Sequence, residues 1–356
     1  LFAVTVAGLC AIGTLAGPAR AEISVRPVVD STIHAYAPQS GISGGIVVAG
    51  SDTMQPIMVK IAAAFKLRQP EVKIAVQGGG SDAALGQFLQ DQATIRRGDA
   101  NPRGHLVSGH VDLLASSRPL TQSERKDFRS RYGFEPTEIP IALDAVAIYV
   151  NHQNPIQSLT MDQIDSVFSE SRKRGSPEIT TWGQLGLGDG WEQQPIRPYG
   201  RDKRSGTRTF FIHTALLDGA LKSSVKEEAG TALEILAISR DILGIGYAGI
   251  GFQASTVRIL PVVAKPGDVP VLPTAESVAE GTYPLARSLY LYAKRGPHGE
   301  LQPEILEFLR FINSREGQET IARTGVFPLS DRQVAANLQA LTGPPTSASS
   351  LTAQVR

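Results

Sequence analysis

Between residue 46 and about residue 330 the apolar positions switch repeatedly between two spacings. Ile46-Val47-Val48-Ala49-Gly50 is a short apolar run of strand type, and Met54, Ile57, Met58, Ile61, Ala62 and Phe65 then recur at helical spacing. The next stretch repeats this order. Val72 to Val76 predicts a strand, Gly78-Gly79-Gly80 a loop, and Ser81 caps a helix that turns Ala84, Leu85, Phe88 and Leu89 inward. Residues 92–110, with Arg96, Arg97, Gly98, Pro102 and Gly104, break the rhythm and read as a long exposed loop before a strand at Val111 to Ala115.

A second block opens with a strand at Ala145 to Val150. Thr160-Met161-Asp162-Gln163 has the spacing of a capping box and starts a helix carrying Ile164, Val167 and Phe168. A further helix is expected after Ser205, with Phe210, Phe211 and Leu217 as its apolar face. Leu289 to Ala293 reads as a strand, followed by a helix with Ile305, Leu306, Leu309 and Ile312 and another from Ser314. Strands alternating with helices predict α/β architecture with mostly parallel sheets.

The ends differ from this body. Leu1 to Ala16 carry no charge and lead to Ala19-Arg20-Ala21, the small-x-small pattern of a signal-peptide cleavage site, so residues 1–21 are expected to be part of a signal peptide and Glu22 the mature start. Export to the periplasm or beyond follows. Cys10, the single cysteine, lies inside that segment behind Leu9 rather than a small residue, which argues against lipid anchoring and leaves the exported chain without disulfides. Residues 22–45 read as an extended leader and residues 331–356 as a C-terminal tail.

With 356 residues the chain has room for two lobes, and 42% hydrophobic against 19% charged residues is the balance of a globular protein. The net charge of +1 and the lack of a basic run interleaved with aromatics give no footprint for nucleic acid. His105, His110, His152 and His213 have no metal-ligand spacing, and no cofactor is expected. Gly244-Ile245-Gly246-Tyr247-Ala248-Gly249 matches a dinucleotide fingerprint in letters, but it alternates like a strand and has no strand before it. Arg172-Lys173-Arg174 beside Gly175 and Pro177 reads as a solvated loop.

Three hydroxyl-rich loops each lead into a helix: Ser51-Asp52-Thr53, Gly80-Ser81 and Ser205-Gly206-Thr207. A helix N-terminus offers unpaired backbone N–H groups and the positive end of the helix dipole, so such loops suit an anion. Each loop alone reads equally as a cap. Arg201, four residues before Ser205, adds a planar fork of donors matched to two oxygens of a phosphate or sulfate.

The ordered set resembles the phosphate-binding proteins of bacterial high-affinity phosphate ABC transporters. It runs through Gly50-Ser51-Asp52-Thr53-Met54, Gln77-Gly78-Gly79-Gly80-Ser81, Ala115-Ser116-Ser117-Arg118-Pro119-Leu120 and Gly200-Arg201-Asp202-Lys203-Arg204-Ser205-Gly206-Thr207. Pro284-Leu285-Ala286-Arg287, Glu316-Gly317-Gln318 and Gly325 to Leu329 extend it. The resemblance implies a two-lobed, type II-like periplasmic binding protein with a ligand cleft, its first lobe formed by 46–140 plus 252–330 and its second by 141–251. It further implies a non-enzymatic monomer that binds inorganic phosphate and meets the membrane permease of an ABC transporter.

The ligand residues that the resemblance implies are Ser51, Asp52, Thr53, Ser81, Ser117, Arg201, Ser205, Gly206 and Thr207. Many members carry an Asp where Ser117 stands, accepting the proton of phosphate that sulfate lacks. Asp52 is here the candidate replacement acceptor, its alternative role being a helix cap. Carriage of another tetrahedral oxyanion, phosphatase-type chemistry and an extracellular adhesion role on the same fold are the competing functions.

Overall fold

Strand β1 (Gly44–Gly50) leads to helix α1 (Gln55–Lys66), and β2 (Val72–Gln77) to α2 (Ser81–Gln90), in the computed structural model, which describes residues 27–90, 110–252, 254–296 and 299–343. Both units form where the periodicity requires them. Ile57, Met58, Ile61 and Phe65 bury one face of α1, and Ala84, Leu85 and Phe88 one face of α2. The signal segment with Cys10, and all of the 92–110 loop except His110, lie outside the described residues.

Next come β3 (Leu113–Ser116), α3 (Gln122–Tyr132) and the 15-residue strand β4 (Thr137–Asn151). Beyond β4 the chain forms β5 (Leu159–Thr160), α4 (Met161–Phe168), β6 (Arg197–Arg201), α5 (Gly206–Ala215), β7 (Lys226–Glu228), α6 (Thr231–Ser239) and β8 (Gly244–Gly249). It then adds β9 (Val257–Leu260), β10 (Val262–Val263), α7 (Ala275–Ala279), β11 (Ala286–Ala293), α8 (Pro303–Ile312), α9 (Arg315–Ala322) and α10 (Asp331–Thr342). Thr160 and Gln163 make the capping box expected of them. The fingerprint-like glycines lie in β8 itself, which is a strand and not the opening of a helix. Among the described residues no helix is long and apolar enough to cross a membrane.

The main sheet has the order β2-β1-β3-β11-β4-β8-β6-β7, with β9 also on β4. Its two flanks are parallel, β2-β1-β3 and β8-β6-β7, but β11 and β4 run antiparallel to their neighbours, so the sheet is mixed rather than mostly parallel through its centre. The cause is β4, which passes between two cores. Ile139, Ile141 and Ala142 pack with Ile46, Phe65 and Phe308, whereas Ala145, Val146 and Ile148 pack with Phe168, Phe211 and Tyr247. The first half of β4 was hidden in the sequence by Pro140. That residue sits where the β11 register shifts between Leu289 and Tyr290, a place that tolerates a missing N–H.

Three other expectations change. Residues 257–285 were expected with the first lobe, yet β9 pairs with β4 at Ile148–Asn151, and Leu260, Val278, Tyr283 and Leu285 join the second core. The supposed tail begins with α10, opened by a Ser330–Gln333 capping box and docked through Val334, Asn337 and Leu341. Leu217 lies past the end of α5, 44% exposed and with φ of 49°, while Leu216 takes the buried position.

Candidate functional site

The turn between β1 and α1 is built by Ser51. Its N–H donates to the Ala115 carbonyl at 2.9 Å, and its own carbonyl accepts from the N–H groups of Met54 and Gln55. Met54 holds the capping position of α1 without any side-chain cap bond, so Asp52 is not a helix cap. Its carboxylate instead accepts from the Gly79 N–H at 2.7 Å and from Arg201 Nη2 at 2.6 Å. The chain thereby pins the glycine loop with one oxygen and Arg201 with the other.

The hydroxyls of Thr53, Ser81, Ser117 and Thr207 meet in one buried cluster. Thr207 Oγ1 lies 3.1 Å from Thr53 Oγ1 and 3.4 Å from Ser117 Oγ, and Ser117 Oγ lies 3.3 Å from Ser81 Oγ. Ser81 begins α2 and accepts from the Ser117 N–H at 3.2 Å instead of capping its own helix. Ser205 does cap, accepting from the Arg208 N–H, and its hydroxyl stays with α5. The N–H groups of Gly206 and Thr207, in the first turn of α5, have no intrahelical partner by helix geometry and sit beside this cluster.

Glycine permits the approach of α5 to α2. A Cβ on Gly206 would fall 2.5 Å from Ser81 Oγ and 3.0 Å from Ser117 Oγ, and one on Gly80, whose φ is 102°, would fall 2.0 Å from the Arg204 carbonyl oxygen. The same carbonyl accepts from the Asp82 N–H at 3.2 Å. α5 is held in place from behind by Phe211, stacked on the Tyr247 ring at 3.8 Å and meeting Phe168 edge-on. All nine predicted residues therefore lie in or beside one place, although the Ser51 and Ser205 side chains serve the turns rather than the hydroxyl cluster.

Arg201 ends β6 and is 1% exposed. Besides Asp52 its guanidinium donates from Nη1 to the Thr231 hydroxyl, and its backbone N–H donates to the Tyr247 hydroxyl at 3.3 Å. Behind it, in the first turn of α6, lies Glu234, wholly buried, with one oxygen accepting from the Tyr247 N–H at 2.9 Å. Burial pushes the Glu234 carboxyl up to about 8, against the Arg201 charge and the Tyr247 bond that pull it down. Arg118, beside Ser117, takes no part in the cluster. Its guanidinium is shared between Asp82 and Glu124, and Asp82 in turn accepts from the Thr209 hydroxyl of α5 at 2.7 Å.

A second buried ion pair had no assigned role in the sequence reading. Arg287 donates twice to Asp144 Oδ2, at 2.9 and 2.7 Å, and once to Thr207 Oγ1 at 3.1 Å. A signal for it exists: Asp144 and Arg287 are lone charges in the apolar runs Ile141 to Tyr149 and Leu285 to Leu291. Thr231 and Glu234 carry no comparable mark, since both suit the first turn of an ordinary helix.

Chemically, the arrangement brings hydroxyl donors and first-turn N–H groups together, with the Arg201 guanidinium held alongside through the Asp52 carboxylate. It has the makings of a site for a small oxyanion that still carries a proton. Comparison with known proteins bears on the same stretch. Residues 35–316 match the family model described as a PBP superfamily domain. The phosphate-binding protein PstS of Pseudomonas aeruginosa is 34% identical over 307 residues, covering 86% of this chain and 90% of the relative. SphX of Synechococcus elongatus is 24% identical over 83% of this chain and 80% of its own length.

Among solved structures, an ABC-type phosphate transport receptor from Vibrio cholerae superposes with a TM-score of 0.58 at 24% identity, covering 80% of this chain and 100% of that one. A substrate-binding chain from Clostridium perfringens solved with bound phosphate reaches 0.64 at 23% identity, over 81% of this chain and 100% of that one. At these identities the structural likeness speaks for the two-lobed fold, and the family model with the Pseudomonas relative speaks for descent. The chain belongs to the PBP superfamily, in the family of the PstS phosphate-binding proteins.

Proposed function

We propose that this chain is an exported, monomeric solute-binding protein that captures inorganic phosphate between two lobes and presents it to the membrane permease of an ABC transporter. One lobe is formed by the core around β1, β2, β3, the first half of β4 and β11 to α10. The other spans the second half of β4 to about residue 285. The family is one of carriers and not of enzymes. The carrying observation is that hydroxyls from both sides form one chain of contacts: Thr207 Oγ1 lies 3.1 Å from Thr53 Oγ1 and 3.4 Å from Ser117 Oγ, which lies 3.3 Å from Ser81 Oγ, while Arg201 is held through Asp52, the neighbour of Thr53.

Phosphate ligands in this reading are Ser51, Asp52, Thr53, Ser81, Ser117, Arg201, Ser205, Gly206 and Thr207. Ser51 and Ser205 act through the loops they shape. Asp52 supplies the acceptor for the phosphate proton: each carboxylate oxygen takes one bond, and a carboxylate oxygen has a further lone pair to offer. Sulfate, without a proton to donate, meets that lone pair as a repulsion. Ligand contacts to both lobes favour the closed arrangement, which is the form a transporter would recognise.

The test is mass analysis of the ligand that co-purifies under native conditions, run beside a phosphomonoester hydrolysis assay. Retained inorganic phosphate without turnover is expected. Sustained hydrolysis, or retention of sulfate in its place, would sink the proposal.

A further inference from the structure

Thr207 is the residue at which the candidate site touches the strands that join the two cores. Its hydroxyl accepts from Arg287 Nη1 at 3.1 Å, and a guanidinium has only donors, so the single hydroxyl proton of Thr207 must be directed elsewhere. The oxygens in reach are Thr53 Oγ1 and Ser117 Oγ, both in the site cluster. The contact with Arg287 thus turns the Thr207 proton into the site cluster, toward one or other of these oxygens.

Arg287 is itself held fast. It faces Asp144 as a register partner across β11 and β4, and Nε and Nη2 both donate to Asp144 Oδ2. The other Asp144 oxygen accepts from the Ile250 N–H at 3.2 Å, and the two side chains are 1% and 0% exposed. The Phe210 ring of α5 lies 5.5 Å from the guanidinium carbon. Gly249 leaves the needed room, because a Cβ there would fall 2.7 Å from Thr53 Cγ2 and 3.1 Å from Asp144 Oδ2. Burial lowers the proton affinity of the guanidinium, and the Asp144 charge opposes this only in part. With its charge matched by Asp144, Arg287 acts through direction and not through net charge.

Resting on the phosphate reading above, we infer that Arg287 is a positioning residue of the anion site, fixing the Thr207 hydroxyl as a donor aimed into the cleft. The guanidinium is anchored on the paired strands where the chain passes between cores, so Thr207 is oriented when α5 docks against them. A ligand oxygen then meets a hydroxyl already turned toward it, which lowers the ordering cost of binding.

A double-mutant cycle with inorganic phosphate, read by calorimetry, separates this role from a structural one. Replacing the pair as Arg287→Gln with Asp144→Asn avoids stranding a buried charge, and Thr207→Val keeps the shape of Thr207 without its hydroxyl. The pair replacement is expected to weaken binding by about tenfold when Thr207 is present and by less than about twofold in the Thr207→Val background. An equal loss in both backgrounds, or no loss beside an intact Thr207, overturns the inference and leaves the site reading standing. Should Thr207→Val bind phosphate like the wild type, the site reading falls and the inference with it. If the pair replacement does not fold, Arg287→Lys takes its place in the cycle, since a single ammonium keeps the charge opposite Asp144 but not the fork; the same two results decide.

Discussion

Gly206→Ala probes the approach of α5 to α2 with one methyl group. The added Cβ would stand 2.5 Å from Ser81 Oγ and 3.0 Å from Ser117 Oγ, against an ordinary contact of about 3.4 Å or more. Relief requires Ser81 to leave its place, giving up its bond from the Ser117 N–H, or α5 to withdraw by roughly 1 Å from the cluster. Overpacking of this kind costs about 1–3 kcal/mol, or roughly one to two orders of magnitude in affinity. The strain exists only while the two sides are together. Alanine is a better helix former than glycine, and Gly206 has no left-handed φ, so the resting protein should keep its thermal stability. Phosphate titration by calorimetry and a melting curve of the ligand-free protein check the two halves of this expectation. Unchanged affinity would refute the reasoning, and so would a loss of affinity matched by an equal loss of resting stability.

Further outcomes follow from individual side chains. Asp52→Asn should shrink the preference for phosphate over sulfate by about tenfold, because an amide can turn a donor toward the ligand; competition binding measures the ratio, and an unmoved ratio would pass the question to Ser117. Glu234, with its folded value raised from the ordinary 4.5 to about 8, keeps a proton on folding that the unfolded chain releases. Stability should therefore fall as pH rises through that window and level off above it, and Glu234→Gln should flatten the slope in melting curves; parallel slopes would contradict the assignment. Asp82→Asn should loosen the link from Arg118 to Thr209 and lower phosphate affinity by a few-fold without moving Asp52 or Arg201, a change that equilibrium dialysis would detect.

Much of the fold was legible because its signals are local. The strand and helix periods of β1, α1, β2 and α2, and the capping box at Thr160, depend on neighbours in sequence. Three hydroxyl loops and Arg201 were visible as a set for the same reason. What escaped depends on partners far along the chain. Pro140 masked half of β4 because its tolerance comes from a register shift on β11, more than a hundred residues later. Residues 257–285 join the second core only because β9 returns to β4, a pairing that no local signal announces. Asp52 could be weighed as a cap or as an acceptor from sequence alone; the structure puts Met54 at the capping position and turns the Asp52 carboxylate to Gly79 and Arg201.

The central claim is that Arg201, with the hydroxyls around it, holds phosphate. Calorimetric titration of the wild type and Arg201→Ala with inorganic phosphate tests it most directly. The account predicts saturable binding of one phosphate per chain in the wild type and a loss of at least about 1.5 kcal/mol, roughly tenfold, in the variant, with the fold intact. Equal affinities in the two proteins, or no binding in the wild type, would contradict it.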